Sequence, residues 1–482
     1  MRVGVRSLIS RRMLPWSLLL AIALSGAAAA ANVELPAGIR RVLDVRNLPD
    51  DTLSIYVQEV DSSESLLAWN EGQPRNPASV AKLLTTLVAL DMLGPSFRWK
   101  TEVYLQGEVQ DGRLDGNLAL KGYGDPFLVT ERVWQMLRQV RQSGIQHVDG
   151  DLLLDDSYFS VDAADPAGFD GEPLRAYNVY PNALLTNFKV VRYTFEPDPT
   201  SRAVRVTLDP ALDNLQVINQ LAQVKGSCYG YQRGITITPN EQYDRFVLSG
   251  RFPDGCRSYT LDRTALGHNE FTYGLFKSIW QESGGSISGG WKNHVVPPDW
   301  TPHLTFESQP LSDVITLINK HSNNVMARQL LYTMAAETLG APGTEQGGRD
   351  VVQQWLDARN LSSPALRLDN GAGLSRDARM TARQVSELLR FAYSSPFMPE
   401  YLSSLSLSGL DGTLARRLRN SPLTGKAHMK TGSLDHVSAI AGYLQSRSGR
   451  RYIVVALQNH TDIHRGSGEE VQEALLRWVY DR

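Results

Sequence analysis

Residues 76–93 read NPASVAKLLTTLVALDML and are followed by Gly94-Pro95. The apolar run that starts at Leu83 predicts a helix of about four turns, opened by the segment that holds Ser79 and ended by Gly94-Pro95. Residues i and i+3 face the same side of a helix, so the amine of Lys82 should reach the hydroxyl of Ser79. A nearly neutral lysine can take the serine proton and create a nucleophile. An SxxK motif alone is weak evidence, because about one match is expected by chance in such a chain.

A second motif, Ser322-Asn323-Asn324, lies in a helix-like run much further along the chain. The hydroxyl of Ser322 and the amide of Asn324, two positions apart, suit a proton shuttle and a contact to a substrate amide. Serine and asparagine are common at solvated helix ends, so this motif by itself leaves that simpler interpretation open.

The third motif, Lys430-Thr431-Gly432-Ser433, is less expected by chance because the chain has only ten lysines. Gly432 permits close backbone approach to a ligand. Lys430 supplies a fixed positive charge, and Thr431 and Ser433 supply hydroxyl donors for a carboxylate. The alternating residues on both sides predict a strand, which would place the motif at a sheet edge beside the nucleophile helix. A turn with a surface lysine is the alternative.

In this order and spacing the three motifs resemble the penicillin-recognising serine acyl-enzymes. Further segments resemble the low-molecular-mass class C penicillin-binding proteins of the penicillin-binding protein 4 type, which are D-alanyl-D-alanine carboxypeptidases and endopeptidases. The matching segments are Gly122-Tyr123-Gly124-Asp125-Pro126-Phe127-Leu128, Asp369-Asn370-Gly371-Ala372-Gly373-Leu374-Ser375-Arg376 and Gly409-Leu410-Asp411-Gly412-Thr413-Leu414. Asn370 and Ala372 depart from the family pattern, which has Asp and Ser there, and so does the segment at residues 405–408, where a proline is usual.

The resemblance implies an α+β fold: a β-lactamase/transpeptidase-like catalytic domain, with an antiparallel sheet flanked by helices, split by a large β-rich insertion. It implies that Ser79 is the acylated nucleophile and Lys82 its proton acceptor. Ser322 and Lys430 would move a proton to the leaving amine, and Asn324 would bind the substrate backbone. The terminal carboxylate of the substrate is expected to bind Lys430, Thr431 and Ser433, with Gly432 as a further substrate-binding residue. The N–H groups of Ser79 and Ser433 are expected to form an oxyanion hole.

Within the insertion, residues 154–159 resemble a segment that faces the cleft in relatives. Asp155 is therefore a candidate for reading an ammonium group on the diamino acid of the stem peptide. A turn aspartate at a strand end is the alternative interpretation of the same residue.

The expected reaction is the hydrolysis of D-Ala-D-Ala ends and cross-links of peptidoglycan, with β-lactams as acylating inhibitors. A serine β-lactamase is one alternative. Such an enzyme needs a water that hydrolyses the acyl-enzyme rapidly, and no segment of the ExxxN type is found in a position to activate that water. A non-catalytic wall-binding protein on the same fold is the other, although a pure binder needs neither Ser79 nor Lys82.

The start of the chain predicts a cleavable signal peptide at residues 1–31, with four arginines before an apolar stretch of about 14 residues. An uncleaved membrane anchor is the alternative. Export would place the protein in the periplasm, with at most peripheral membrane or cell-wall association. In an oxidising compartment Cys228 and Cys256 can form a disulfide, and two unpaired buried thiols are the alternative.

The composition argues against other partners. The net charge is −2 and no long basic run exists, so nucleic acid is not expected. The nine histidines show no HExxH or HxH spacing, so neither a metal nor another cofactor is expected. The sequence leaves open whether the protein forms a homodimer.

The pattern of elements divides the mature chain into a split catalytic domain and an insertion. Residues 32–96 and 264–482 are assigned to the catalytic domain, residues 97–123 and 190–263 to an inserted β-rich domain, and residues 124–189 to a second small inserted domain. Within these ranges, residues 130–142 and 213–224 are predicted as helices, and residues 310–337 as one helical run.

Overall fold

The computed structural model describes residues 34–163, 165–201, 203–229 and 234–482. The predicted signal peptide, residues 1–31, lies outside these residues. In chain order the helices are α1 (Ala37–Val45), α2 (Lys82–Leu93), α3 (Thr130–Gln142), α4 (His268–Glu282), α5 (Leu311–His321), α6 (Asn324–Leu339), α7 (Glu345–Ala358), α8 (Ala382–Ser394), α9 (Met398–Ser404) and α10 (Ser467–Tyr480). Within the described ranges no helix is long and apolar enough to cross a membrane.

The strands follow the same numbering. They are β1 (Leu53–Glu59), β2 (Ser65–Trp69), β3 (Lys100–Gln110), β4 (Arg113–Gly122), β5 (His147–Val148), β6 (Leu152–Asp155), β7 (Val190–Pro197), β8 (Val204–Asp209), β9 (Gln216–Val224), β10 (Ile235–Pro239), β11 (Arg245–Pro253), β12 (Tyr259–Thr264), β13 (Ser286–Ile287), β14 (Trp291–Asn293), β15 (Leu304–Glu307), β16 (Ser406–Leu407), β17 (Ala427–Leu434), β18 (Val437–Gln445) and β19 (Arg451–Asn459).

An antiparallel sheet in the order β16-β17-β18-β19-β1-β2 carries the third motif, on β17. The strands β18 and β19 are buried on both faces along nearly their whole length, as expected for a sheet covered on both sides. Helices α2 and α5 to α8 pack on one face in one buried cluster, while α1 and α10 pack on the other face in a second. The predicted α+β fold, a sheet flanked by helices and split by an insertion, is confirmed.

The inserted region has its own buried core, whose members run from Val103 to Phe306. Strands β13-β5-β4-β3-β15 form its main sheet, together with β6 and β14, and α3 and α4 pack against each other beside it. Two small sheets, β12-β7-β8 and β10-β11-β9, extend it. Since α4 and β15 belong to this core, the boundary predicted at residue 264 falls inside it.

Two predicted helices have a different structure. Residues 213–224 were predicted as a helix, but Gln216–Val224 is strand β9, which pairs in parallel with β11. The partner strand supplies the hydrogen bonds of β9. An amphipathic run of this length is compatible both with the 3.6-residue period of a helix and with the two-residue period of a strand. The run at 310–337 is not continuous, because it breaks at Ser322, between α5 and α6.

The segment between β6 and β7 has little regular secondary structure and rests on α6. The side chain of Gln329 on α6 accepts the N–H of Asn182 and donates to its carbonyl, at 2.9 and 3.0 Å. Val325 on the same helix packs with Val179 and Leu185. One wall of the catalytic domain is thereby covered by the insertion.

Candidate active site

Ser79 lies in a 3-10 turn, Ala78–Ala81, that leads directly into α2. The side chain of Asn76 holds this turn: its Oδ1 accepts the N–H of Ala78 at 2.9 Å, and its Nδ2 donates to the carbonyl of Ser375 at 2.8 Å. The backbone N–H of Asn76 donates to Oδ1 of Asn459, at the end of β19. The nucleophile turn is therefore fixed from several sides.

Lys82 is fully buried, and its Nζ lies 2.9 Å from Ser79 Oγ. It also donates to Oδ1 of Asn324 at 2.6 Å and to the carbonyl of Ala372 at 2.5 Å. Burial, followed by the charges of Lys430 and Arg328, lowers the pKa of Lys82 well below its ordinary value. The two carbonyl oxygens accept the two protons of a neutral amine, so its lone pair is left for the hydroxyl of Ser79.

Ser322 and Asn324 are brought to this pair by the break between α5 and α6. Ser322 has a left-handed backbone, with φ of 56°, and ends α5. Asn323 caps α6, since its Oδ1 accepts the N–H of Met326 at 3.0 Å. This cap sets Asn324 at the first position of α6, where its side chain meets Lys82.

Lys430 approaches from β17, and its Nζ donates to Ser322 Oγ at 2.9 Å and to the carbonyl of Thr431 at 2.8 Å. It is fully buried, and burial lowers its pKa to about 7. The structure thus contains two hydrogen-bonded groups, Ser79 with Lys82 and Asn324, and Ser322 with Lys430. Both groups meet at the same cleft, which Ser79, Ser322 and Asn324 line.

The strand β17 runs close against the nucleophile turn at Gly432. A Cβ at this position would lie 2.6 Å from the carbonyl oxygen of Pro77 and 3.1 Å from the backbone N of Ser79. Only glycine fits this contact. Beside it, Thr431 Oγ1 donates to Thr413 Oγ1 at 2.8 Å, and the exposed Ser433 lines the cleft.

The cleft is a cavity of about 970 Å³, and the insertion supplies one of its walls. From the catalytic domain it is lined by Ser79, Ser322, Asn324 and Ser433, and by Arg376, Asp435 and His464 near the β17–β18 turn. The lining residues from the insertion include Phe127, Glu131, Phe169, Asp170, Tyr177, Phe188, Arg192, Asp209 and Asp262.

Asp155 does not line this cavity, contrary to the expectation that it reads the substrate. Its side chain is completely buried, and its carboxylate accepts the N–H groups of Ser157 and Val296, at 2.9 and 2.8 Å. Lys121 lies 3.3 Å away and balances its charge. The alternative interpretation, an aspartate in a turn at the end of a strand, describes what the structure contains.

Asp170 also lines the cavity, although it was not among the residues predicted from the sequence. Burial raises its pKa. Hydrogen bonds from Tyr177 at 2.7 Å, from Asn178 at 2.8 Å and from the backbone N–H of Glu172, followed by the charge of Arg175, outweigh burial and lower the pKa below the ordinary value. Two other carboxylates of the lining, those of Asp262 and Asp435, pair with arginines. No local sequence signal separates Asp170 from its neighbouring aspartates, because its position depends on the fold of an irregular segment.

Near the cleft, His436, Asp462 and His464 place potential ligand atoms within 4.8 Å of one another. Nδ1 of His464 accepts the N–H of His436 at 2.9 Å, and Nδ1 of His436 accepts the N–H of Asp462 at 3.1 Å. The proton of each neutral ring therefore sits on Nε2. Both rings present donors rather than lone pairs, so this cluster is not arranged for a metal.

The chain was compared with known proteins. Residues 36–481 match the model of the D-Ala-D-Ala carboxypeptidase 3 (S13) family. A D-alanyl-D-alanine carboxypeptidase of Actinomadura sp. (strain R39) is 29% identical over 476 residues, covering 94% of this chain and 87% of the relative. The D-alanyl-D-alanine carboxypeptidase DacB of Haemophilus influenzae is 23% identical over 419 residues, covering 86% and 87%.

Solved structures show the same fold. The crystal structure of penicillin binding protein 4 (dacB) from Haemophilus influenzae has a TM-score of 0.78 at 21% identity, covering 92% of this chain and 99% of the other. A predatory endopeptidase from Bdellovibrio bacteriovorus has a TM-score of 0.53 at 14% identity, covering 88% and 92%. The family match spans nearly the whole described chain, and the nucleophile turn, the second motif and β17 converge on one cleft. The chain therefore belongs to the D-Ala-D-Ala carboxypeptidase 3 (S13) family and is a serine peptidase of the penicillin-binding protein 4 type.

Proposed function

We propose that this protein hydrolyses D-Ala-D-Ala ends and cross-links of peptidoglycan in the periplasm, through an acyl-enzyme on Ser79 that β-lactams also form. The observation that carries the proposal is the 2.9 Å contact between Ser79 Oγ and the buried amine of Lys82. A serine hydroxyl is a weak nucleophile until a neighbouring base takes its proton, and an uncharged lysine is such a base.

In the first half of the reaction, Ser79 Oγ attacks the carbonyl carbon of the penultimate D-Ala, and its proton passes to Lys82. The negative charge that develops on the carbonyl oxygen would be held by the N–H groups of Ser79 and Ser433. Collapse of this intermediate breaks the C–N bond. The proton that Lys82 took would pass through Ser322, which Lys430 contacts at 2.9 Å, to the leaving amine, so that Lys82 is neutral again. Asn324 would bind the backbone of the substrate.

In the second half, water attacks the ester carbonyl, gives its proton to Lys82, and the Ser79 oxygen leaves and is reprotonated. The products are a shortened peptide and D-Ala, or two separated peptides when the bond was a cross-link. Thr431 and Ser433 offer hydroxyl groups to the terminal carboxylate, and Gly432 keeps β17 close enough to the turn for both to reach it.

The charges along the cavity support a substrate that carries an ammonium group. Asp170 has neutral hydrogen-bond partners, and Arg175 acts on it only through space, whereas Asp262 forms an ion pair with Arg192 and Asp435 with Arg376. We therefore propose Asp170, in place of Asp155, as the residue that reads the amino group of the diamino acid in the stem peptide.

A fluorescent penicillin tests the acyl-enzyme. The wild-type protein is expected to become stably labelled, whereas Ser79→Ala should not be labelled at all. Lys82→Ala should slow labelling by about 10²–10⁴-fold, the usual contribution of a general base. Thermal unfolding of each variant serves as the control for folding.

Other outcomes of this experiment select the alternatives. Rapid turnover of the drug would make the protein a β-lactamase, and absence of labelling in the folded wild-type protein would leave a wall-binding role. Digestion of purified cross-linked muropeptides with mass spectrometry then separates the two peptidase activities. Loss of D-Ala alone means carboxypeptidase activity, and conversion of dimers to monomers means endopeptidase activity.

A further inference from the structure

A buried arginine lies one helical turn beyond Asn324. Arg328 is on α6 at the i+4 position from Asn324, so both side chains lie on the same face of the helix. Only 7% of its surface is exposed. Asn324 Oδ1 in turn lies 2.6 Å from Lys82 Nζ, so the same helix face carries both the partner of the amine and a guanidinium.

The charge of Arg328 is not neutralised by an ion pair with any carboxylate of the described residues. Its contacts are a 3.4 Å hydrogen bond from Nη1 to the carbonyl of Val179 and the ring of Tyr180, whose centroid is 5.4 Å away. Its buried Nε has no hydrogen-bond partner among these residues. The carboxylates of Glu345 and Asp369 act on this charge only through space, without an ion pair. A guanidinium stays protonated inside proteins, so its burial here costs stability.

We propose that Arg328 is a positioning residue that keeps Lys82 in its uncharged, proton-accepting form. The inference rests on the proposed function, in which Lys82 is the base. The charged groups around Lys82 are Lys430 on β17 and Arg328 on α6, while Ser79, Asn324 and the carbonyl of Ala372 are neutral. Both charged groups are positive, so each disfavours a proton on Lys82.

The pKa of Lys82 agrees with this arrangement. Burial lowers it most, followed by Lys430 and then by Arg328. Lys430 already takes part in the proposed proton transfer, and its own pKa is lowered to about 7 by burial, so its charge varies near neutral pH. Arg328 keeps its charge across the whole working range, which makes it the constant part of the electrostatic field on Lys82.

The test is the pH dependence of acylation by a fluorescent penicillin. In Arg328→Gln the pKa of Lys82 should rise, so the acidic limb of the profile should move to higher pH. A shift of about one pH unit is the size expected for one charge that acts through space at an effective dielectric constant of ~20. Arg328→Lys keeps the charge and should leave the limb in place. Arg113→Gln removes an exposed charge from the insertion and should also leave it unmoved.

An unmoved limb in a folded, acylating Arg328→Gln would overturn the inference, because a merely structural role lowers the rate at every pH equally. If Arg328→Gln does not fold, Tyr180→Asp sets a carboxylate beside the intact guanidinium and should move the acidic limb to higher pH as well. An acidic limb that stays in place in this variant would also overturn the inference. Absence of acylation in the wild-type protein would overturn the proposed function itself, and this inference with it.

Discussion

At the scale of single residues, the most informative feature is the pair of buried lysines beside the cleft, Lys82 and Lys430. Both are fully buried without a carboxylate in contact among the described residues, and both pKa values are lowered. Burying an ammonium without a counter-ion destabilises a fold. The folded protein therefore disfavours a charge on both lysines, at the expense of stability.

The effect of Lys430 on stability should depend on pH. Its pKa is about 7 in the folded protein and 10.5 ordinarily. Between these values the unfolded chain binds a proton that the folded chain does not, so stability rises with pH. Below pH 7 both states are charged and the full penalty applies. Lys430→Met should raise the melting temperature by about 3 °C at pH 6 and by less at pH 9, measured by calorimetry. An equal gain at both pH values would contradict the prediction.

At this scale the sequence was informative where chemistry demands particular residue types at fixed spacing. Ser79, Lys82, Ser322, Asn324 and Lys430 could be predicted and do lie together. Asp155 could not be separated from the other aspartates of the insertion. Arg328 had no signal at all, because a charged residue in a helix is usually taken as solvent-exposed and only tertiary packing buries it.

At the scale of elements, the precision of the site depends on how closely β17 packs against the turn that holds Ser79. The missing side chain of Gly432 makes room for the backbone of Pro77 and Ser79. The break at Ser322 also positions the site. It lets α6 begin at Asn324, whose side chain contacts Lys82. The sequence predicted one continuous helix there, because the apolar periodicity continues across the break and a left-handed serine leaves no pattern.

Gly432→Ala tests the packing of β17. The added Cβ would meet the carbonyl oxygen of Pro77 at 2.6 Å, so strand and turn must separate. We expect penicillin acylation to slow by about 10–100-fold, with about 1–3 kcal/mol of lost stability from overpacking. Gly72→Ala is the matched control, since nothing lies within 4 Å of its new Cβ. Equal acylation rates in the two variants would count against this role of β17.

At the scale of the whole molecule, the insertion is both a separate core and one wall of the cleft. The segment before β7 and the α3 entry supply cavity residues such as Phe188 and Glu131. The more distant sheet of β9, β10 and β11 supplies none among the described residues. Its strand β9 was predicted as a helix, because its partner strand is remote in sequence and only pairing reveals it. The disulfide Cys228–Cys256 joins the ends of this sheet.

The disulfide should therefore stabilise the insertion without affecting the chemistry. The double variant Cys228→Ser, Cys256→Ser is expected to lose about 3 kcal/mol of stability, the usual value for a loop of this size. Its acylation rate at 25 °C should equal that of the wild type, since no described residue between the two cysteines lines the cavity. Calorimetry and penicillin labelling measure the two quantities. A large fall in the acylation rate of the folded variant would show that this sheet is coupled to the cleft.

The pairing of β1 with β19 sets the order in which the molecule can be completed. Leu53 lies opposite Gln458, so β1 cannot form its hydrogen bonds with β19 until that C-terminal strand is present. Until β19 is in place, Asn459 cannot hold Asn76, and the turn that carries Ser79 lacks one of its anchors. A chain in which β19 is not yet paired therefore holds Ser79 in a turn that lacks this anchor. An enzyme proposed to cut the cell wall would thus gain activity only as its last strand joins the sheet.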